Sequence, residues 1–272
     1  MPVLRTTEGP PVWRRRTTQQ EILRWFGWLC LVALFVFCWR VMTADTIWSF
    51  VLDAPTQAAD IGSRMIPPRW SYLNELWRPL WDTLAIATLG TLLAIIIAVP
   101  IAFLAARNTT PSEWLVRPLA LLIIVSSRSI NSLIWALLLV TVLGPGVLAG
   151  VVAIALRSIG FIGKLLYEAI EEIDTAQVEA IEASGASPAQ VMDYGIVPQI
   201  MPAFAGIAVF RWDINIRESS VVGLVGAGGI GLNLEASLST LAWTQVSLLL
   251  LVIFSTVLLS DWVSAKVRHA II

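Results

Sequence analysis

Charge is scarce in this chain. Only 14% of its 272 residues are Asp, Glu, Lys or Arg, where a soluble domain carries about a quarter. Histidine is scarcer, with His269 alone in the terminal tail, so neither a histidine relay nor a histidine-bearing metal cluster is available. The two cysteines, Cys30 and Cys38, lie in one apolar stretch. Their helical separation of roughly 12 Å is too long for a disulfide. These absences exclude an intramembrane enzyme, which needs a nucleophile with its base or a bound metal. Net charge −1 without a clustered basic face excludes nucleic acid as a partner. No GxxxxGK[ST] phosphate loop occurs, so the chain does not itself hydrolyse ATP.

Apolar length is what the chain has in plenty. Hydrophobic residues make up 57% of it and the mean hydropathy is +0.78. A bilayer core of about 30 Å takes about 20 helical residues, and six runs reach that: 22–42, 80–106, 118–143, 147–166, 196–214 and 243–263. The expected fold is therefore an all-α integral membrane protein with six transmembrane helices. Its parts are a cytoplasmic tail (1–21), a first transmembrane helix (22–42), an external connection (43–79) and a core domain (80–272). The first run follows Arg14, Arg15, Arg16 and Arg24 but is too long for a signal peptide and lacks a small-residue cleavage site, so it is read as retained.

With both termini cytoplasmic, Arg14 to Arg16, Arg107, Arg117, Lys164, Lys266 and Arg268 fall inside, as the positive-inside rule asks. The external connection carries Pro55, Pro67 and Pro68, with a short interfacial helix expected over 48–52. Many of the 13 tryptophans, among them Trp25, Trp77, Trp81, Trp114 and Trp262, lie near predicted span ends and read as anchors in the lipid interface.

Between the fourth and fifth spans, 168–198 forms an acidic loop with Glu168, Glu171, Glu172, Asp174, Glu179 and Glu182. A first short helix should stop at Gly185, which suits a left-handed cap. Ser187, Pro188 and Gln190 then fit an N-cap, first-turn proline and capping-box partner for a second. Such a charged elbow is either a solvated loop or a docking knob for a cytoplasmic partner.

Glu179, Ala180, Gly185 and Pro198 keep the spacing of the EAA loop of ABC importer permeases, with Ile181, Gly195 and Val197 replacing its third alanine, isoleucine and leucine. The glycine-rich run RESSVVGLVGAGGIGLNLE (217–235) and the segments 67–111 and 144–174 extend the likeness. From about Pro67 onward the chain resembles the permeases of phosphonate, phosphite and related reduced-phosphorus importers, of the type I fold. The methionine-type permeases are the nearest alternative. The resemblance implies a homodimer, two separate ATPase subunits and an extracytoplasmic phosphonate- or phosphite-binding protein, all at the bacterial inner membrane and in contact with its lipid. It also implies that Glu179, Ala180, Gly185 and Ala186 couple to the ATPase, which holds the ATP and magnesium, leaving no cofactor in this chain.

Gly226, Gly228 and Gly231 also satisfy GxGxxG, but that fingerprint has meaning only between a strand and a helix. Here it lies between membrane spans, where Gly226, Gly228, Gly229 and Gly231 read as close-packing or gating glycines.

A charged side chain inside a span costs roughly 2.5 to 3.5 kcal/mol on insertion scales and so faces a path or a partner. Arg128 lies near mid-bilayer, about 15 Å along the helix from Pro118. Ser126, Ser127, Ser129, Asn131 and Ser132 surround it in sequence and offer hydrogen bonds to an oxyanion. Either Arg128, Ser127, Ser126 and Asn131 line an anion path, or they bind exposed backbone at a helix break. Arg217, Glu218, Ser219 and Ser220, at the expected outer end of span five, form a second polar cluster, of which Arg217, Ser219 and Ser220 are candidates for the substrate path. There Asp213 sits one turn before Arg217, and a structural ion pair competes with a ligand contact. Arg157 is a third candidate, without an identifiable partner. An ion-coupled secondary transporter would need buried acidic or histidine relays and inverted hydropathy repeats, and neither is evident.

Overall fold

The computed structural model describes residues 3–4, 12–13 and 18–271, so the Arg14 to Arg16 cluster lies outside the described residues. The chain divides into two units, residues 1–60 and 61–272. In the first, the two-residue strands Val3–Leu4 (β1) and Val12–Trp13 (β2) pair antiparallel, and helix α1 spans Thr18–Ala44. Its apolar window is wholly exposed, as expected of a helix whose solvent is lipid. Helix α2, Trp48–Met65, starts where a short interfacial helix was expected and runs on through Pro55. A proline removes one backbone bond, and the alanines, glutamine and methionine that follow favour continuation.

In the second unit a single 3-10 turn, Trp70–Tyr72, leads into α3, Leu73–Ala105. The second span thus begins seven residues before the sequence boundary at 80. Helix α4, Val116–Ser129, and helix α5, Ser132–Leu143, come next, then α6, Val147–Glu171. Helix α6 is the centre of the unit and packs against α3, α4, α5 and α9. The face it buries includes Ala149, Gly150, Ala153, Ile154, Ser158, Gly160 and Gly163. Lipid offers little hydrophobic incentive for helices to associate, so small residues that admit close backbone approach hold them together. At Gly160 a Cβ would lie 2.5 Å from the Ile124 carbonyl of α4.

The third expected span is not one helix. Helices α4 and α5 meet at 89°, because Ile130 and Asn131 are extended and Asn131 caps α5 by accepting a hydrogen bond from Leu133 N–H at 3.2 Å. Among the described residues five helices are long and apolar enough to cross a membrane, six if this bent pair is one span.

The elbow begins with α7, Thr175–Ala183, capped by Asp174, whose Oδ1 accepts from Ala176 N–H at 3.0 Å. Gly185, at φ +85°, follows its end. The one-turn helix α8, Pro188–Gln190, carries a capping box in which Ser187 N–H donates to Gln190 Oε1 at 2.8 Å. A π-wound stretch over Val191–Ile196 joins it to α9, Val197–Gly223. Helix α9 therefore outruns the expected span end at 214 by more than two turns, so Arg217, Ser219 and Ser220 lie within it. After a glycine-rich loop come α10, Ile230–Ser239, and α11, Trp243–Ile271.

Valine at position 160 should drive α4 from α6. We expect Gly160→Val to lower the stability of the solubilised chain by about 1–3 kcal/mol in thermal unfolding. Gly27→Val, where a Cβ meets nothing within 4 Å, should leave it unchanged. Equal midpoints for the two variants would refute the close-packing account of α6.

Candidate functional site

Arg157 lies ten residues into α6, about 15 Å from its start and so deep in a span. Arg211 and Glu218 lie two turns apart on one face of α9, which packs against α6. The Glu218 carboxylate bridges both guanidiniums, with Oε1 2.8 Å from Arg157 Nη1 and Oε2 3.4 Å from Arg211 Nη2. Arg211 is only 2% exposed. Its Nε donates to Ser158 Oγ at 2.9 Å and its guanidinium lies 5.1 Å from the Phe161 ring. Asn215 Nδ2 donates to both Ser158 Oγ and Thr91 Oγ1, at 3.1 and 2.8 Å. This network joins α3, α6 and α9 and leaves the buried arginine partnered, without which its burial would be costly.

Beside the bridge lies a cavity of about 420 Å³ lined by Arg128, Arg157, Lys164, Arg211, Glu218, Phe161, Leu165 and Ile214. Four cationic side chains thus face one carboxylate. Lys164 pairs with Glu168 at 3.3 Å across one turn of helix, whereas Arg128 has no ion-pair partner among the described residues. A second hollow of about 300 Å³ is also lined by Arg128 and Lys164, so the two cations border both spaces. A low-dielectric setting strengthens such a field, and the arrangement suits a small anion with several oxygens.

The residues singled out from sequence distribute unevenly around this site. Arg128 lines the cavity. Asn131 caps α5 and its Oδ1 accepts from Arg157 Nη1 at 3.5 Å, beside Ser132 Oγ at 3.3 Å. Ser127 is occupied by backbone, donating to the Leu156 carbonyl and accepting from Gly160 N–H at 2.8 Å. Ser126 is exposed and does not line the cavity. Nor do Arg217, Ser219 and Ser220. Arg217 pairs with Asp213 and lies 3.5 Å from Asp261 of α11, and Ser219 Oγ donates to the Ile216 carbonyl at 2.7 Å. Ser220 is half-buried in α9.

Sequence reasoning missed Arg211 and the second role of Lys164, and it grouped Glu218 with Arg217 rather than with Arg157 and Arg211. The reasoning that raised Arg128, an arginine deep in a span, applies equally to Arg211. The partner of Arg157 had no such signal, since Glu218 is 61 residues away in the chain.

In the glycine-rich loop, Gly226, Gly228 and Gly229 have φ of +90°, +84° and +72°, conformations that other residues rarely adopt. Gly146 N–H donates to the Gly226 carbonyl at 3.0 Å and Ile230 N–H to Thr83 Oγ1 at 2.8 Å. At Gly231 a Cβ would lie 2.8 Å from the Cα of Gly223, so α9 and α10 touch there through backbone. On the elbow, Glu179, Ala180 and Gly185 are exposed and Ala186 half-buried. A shallow hollow of about 390 Å³ runs past Ile181, Gly185, Ala186 and Tyr194, the last of them 72% exposed. No group of three or more His, Cys, Asp or Glu among the described residues could hold a metal.

Comparison with known proteins accords with this architecture. The chain is 40% identical over 256 residues to the phosphite transport system permease protein PtxC of Stutzerimonas stutzeri, covering 94% of this chain and 90% of that one. It is 40% identical over 213 residues to the phosphate-import permease protein PhnE of Mycolicibacterium smegmatis, covering 78% and 39% respectively. Its fold is similar to that of a chain of the MetNI methionine ABC transporter in an inward-facing conformation, with TM-score 0.65 and 22% identity over 75% of this chain and 99% of that one. Residues 98–269 match the family described as binding-protein-dependent transport system inner membrane component. The chain belongs to that family: it is a multi-pass inner-membrane permease of the type I importer fold, a transport subunit rather than an enzyme.

Proposed function

We propose that this permease carries an oxyanion of phosphorus, phosphite, phosphonate or hypophosphite, and that the cationic cavity between α4, α6 and α9 is part of its path. The observation that carries this reading is the excess of guanidinium and ammonium groups over carboxylates in a hollow deep between spans. Relatives named for phosphite and phosphate transport support the cargo class. Methionine, a zwitterion with no net charge, has less need of such a site, which weighs against the methionine-type reading.

The working unit in this proposal contains two copies of the chain, two ATPase subunits that bind ATP and magnesium, and a binding protein that delivers the anion from outside. A second copy answers a physical difficulty. The side chains of Arg217 and Asp261 are 44% and 49% exposed within α9 and α11, and charged groups at such positions are costly against lipid. With both termini and the elbow cytoplasmic, ATP-driven closure of the ATPases pushes on Glu179, Ala180, Gly185 and Ala186. Helix α6 runs into the elbow and α9 runs out of it, so the push reaches the two helices that carry Arg157, Arg211 and Glu218. The glycine-rich loop, pinned between α3 and the start of α6, is the fixed point about which the outer side opens and shuts.

Two experiments test this. ATPase activity of the reconstituted complex should rise with phosphite or a phosphonate and not with methionine, and Arg128→Gln should cut uptake about tenfold or more, the loss of one charge-assisted contact, with assembly intact. Stimulation by methionine alone, or normal uptake by Arg128→Gln, would defeat the respective claim. In the elbow, Gly185→Val is strained at φ +85° and should reduce copurification of the ATPase without changing membrane insertion; undiminished copurification would remove the elbow from the coupling contact.

A further inference from the structure

Among the described residues lining the cavity, Glu218 is the one carboxylate beside four cations. It touches Arg157 through one oxygen and Arg211 through the other, the two-pronged arrangement in which guanidiniums also grip a phosphorus oxyanion. Glu218 and Arg211 share α9 and move together, whereas Arg157 belongs to α6. The contact between Glu218 and Arg157 is therefore the one that breaks if the two helices separate. Arg157 has further acceptors within reach, Ser132 Oγ at 3.3 Å and Asn131 Oδ1 at 3.5 Å, at the start of α5. It can change partner without being stranded.

We propose that Glu218 is a tethered stand-in for the cargo: its carboxylate holds Arg157 and Arg211 when the path is empty and is displaced by the transported anion. The proposal rests on the cavity being the anion path and adds what keeps that path shut to stray ions. Lys164 is paired with Glu168, but an empty hollow with Arg128, Arg157 and Arg211 all uncompensated would draw in any available anion. The built-in carboxylate holds two of the three, so an entering ion must compete for them. An oxyanion presents oxygens to Arg157 and Arg211 together and can win that exchange, while a monatomic ion such as chloride offers a single point of contact. No covalent step is involved; one anion replaces another on the same donors.

The test uses the assembled permease and ATPase without the binding protein, so that inorganic phosphite meets the cavity directly, with thermal unfolding as the readout and chloride as the comparison ion. Glu218→Gln should be less stable than wild type without added anion. Phosphite should then restore its midpoint, with a half-effective concentration about tenfold below that for wild type, since two charge-assisted contacts fall vacant. Adding Arg157→Gln should abolish the gain. A pair with only a structural role predicts destabilisation that phosphite does not relieve, and that result overturns the proposal. If Glu218→Gln assembles neither with phosphite nor without it, Glu218→Asp decides. Its carboxylate, one methylene shorter, cannot span both arginines, so its half-effective concentration should fall below the wild-type value, and a value equal to wild type overturns the proposal. The path reading is judged separately by Arg128→Gln. Lost uptake in that variant beside a flat Glu218→Gln titration leaves the path standing and sinks the stand-in. Normal uptake beside clear rescue of Glu218→Gln upholds the exchange at an anion site that is not the route.

Discussion

A charged group placed where water is absent must be met by an opposite charge or by several hydrogen-bond partners, and much of this protein's interior is arranged around that requirement. Arg211 is almost wholly enclosed, and its guanidinium is satisfied by Glu218, Ser158 and the face of Phe161. Ser158 is in turn shared with Asn215, which reaches Thr91 on α3. Remove the carboxylate and the arginine is left with neutral partners alone. The polar chain thus ties three helices at one level, and the register between α3, α6 and α9 follows from it as much as from the apolar contacts around it.

That network forms only because the helices approach closely. Ile86, Ala153, Ile154 and Val222 pack in one cluster, while Gly150 and Gly160 on α6 face backbone carbonyls of the glycine-rich loop and of α4. Bulky side chains at these points would hold the helices too far apart for hydrogen bonds of about 3 Å. Small residues and polar partners are therefore two halves of one design, the first setting the distance at which the second can operate.

The number of long apolar runs could be read from hydropathy, because the membrane imposes a length that composition records directly. The elbow's turns were also legible in Gly185 and the Ser187–Gln190 box, since capping is a local matter. What could not be read was decided over longer distances or by a single local competition. The right-angle break at Ile130 and Asn131 lies in the polar stretch 126–132 of the third expected span, which the sequence left open between an anion path and a helix break. There a capping asparagine outweighs the tendency to continue the helix. The far end of α9 was misplaced because Arg217 and Glu218 look like an interface with water, when within the fold they are met by Asp213, Arg157 and Arg211. Arg128 could be picked out because one misplaced charge is visible in a string, whereas Glu218 acquires its meaning only when α6 is laid against α9.

Helix α1 lies in the first unit, and among the described residues of that unit nothing covers it. Its apolar window has no buried residue, so there its side chains answer to lipid. Drift in its sequence should be bounded by hydropathy alone: leucine, phenylalanine, valine and tryptophan can trade places there freely. Substitutions of the same size on α6 would break the protein. Within one polypeptide, then, the tolerance to change is set by what each helix has for a neighbour, and a table of exchanges averaged over the chain would misjudge both.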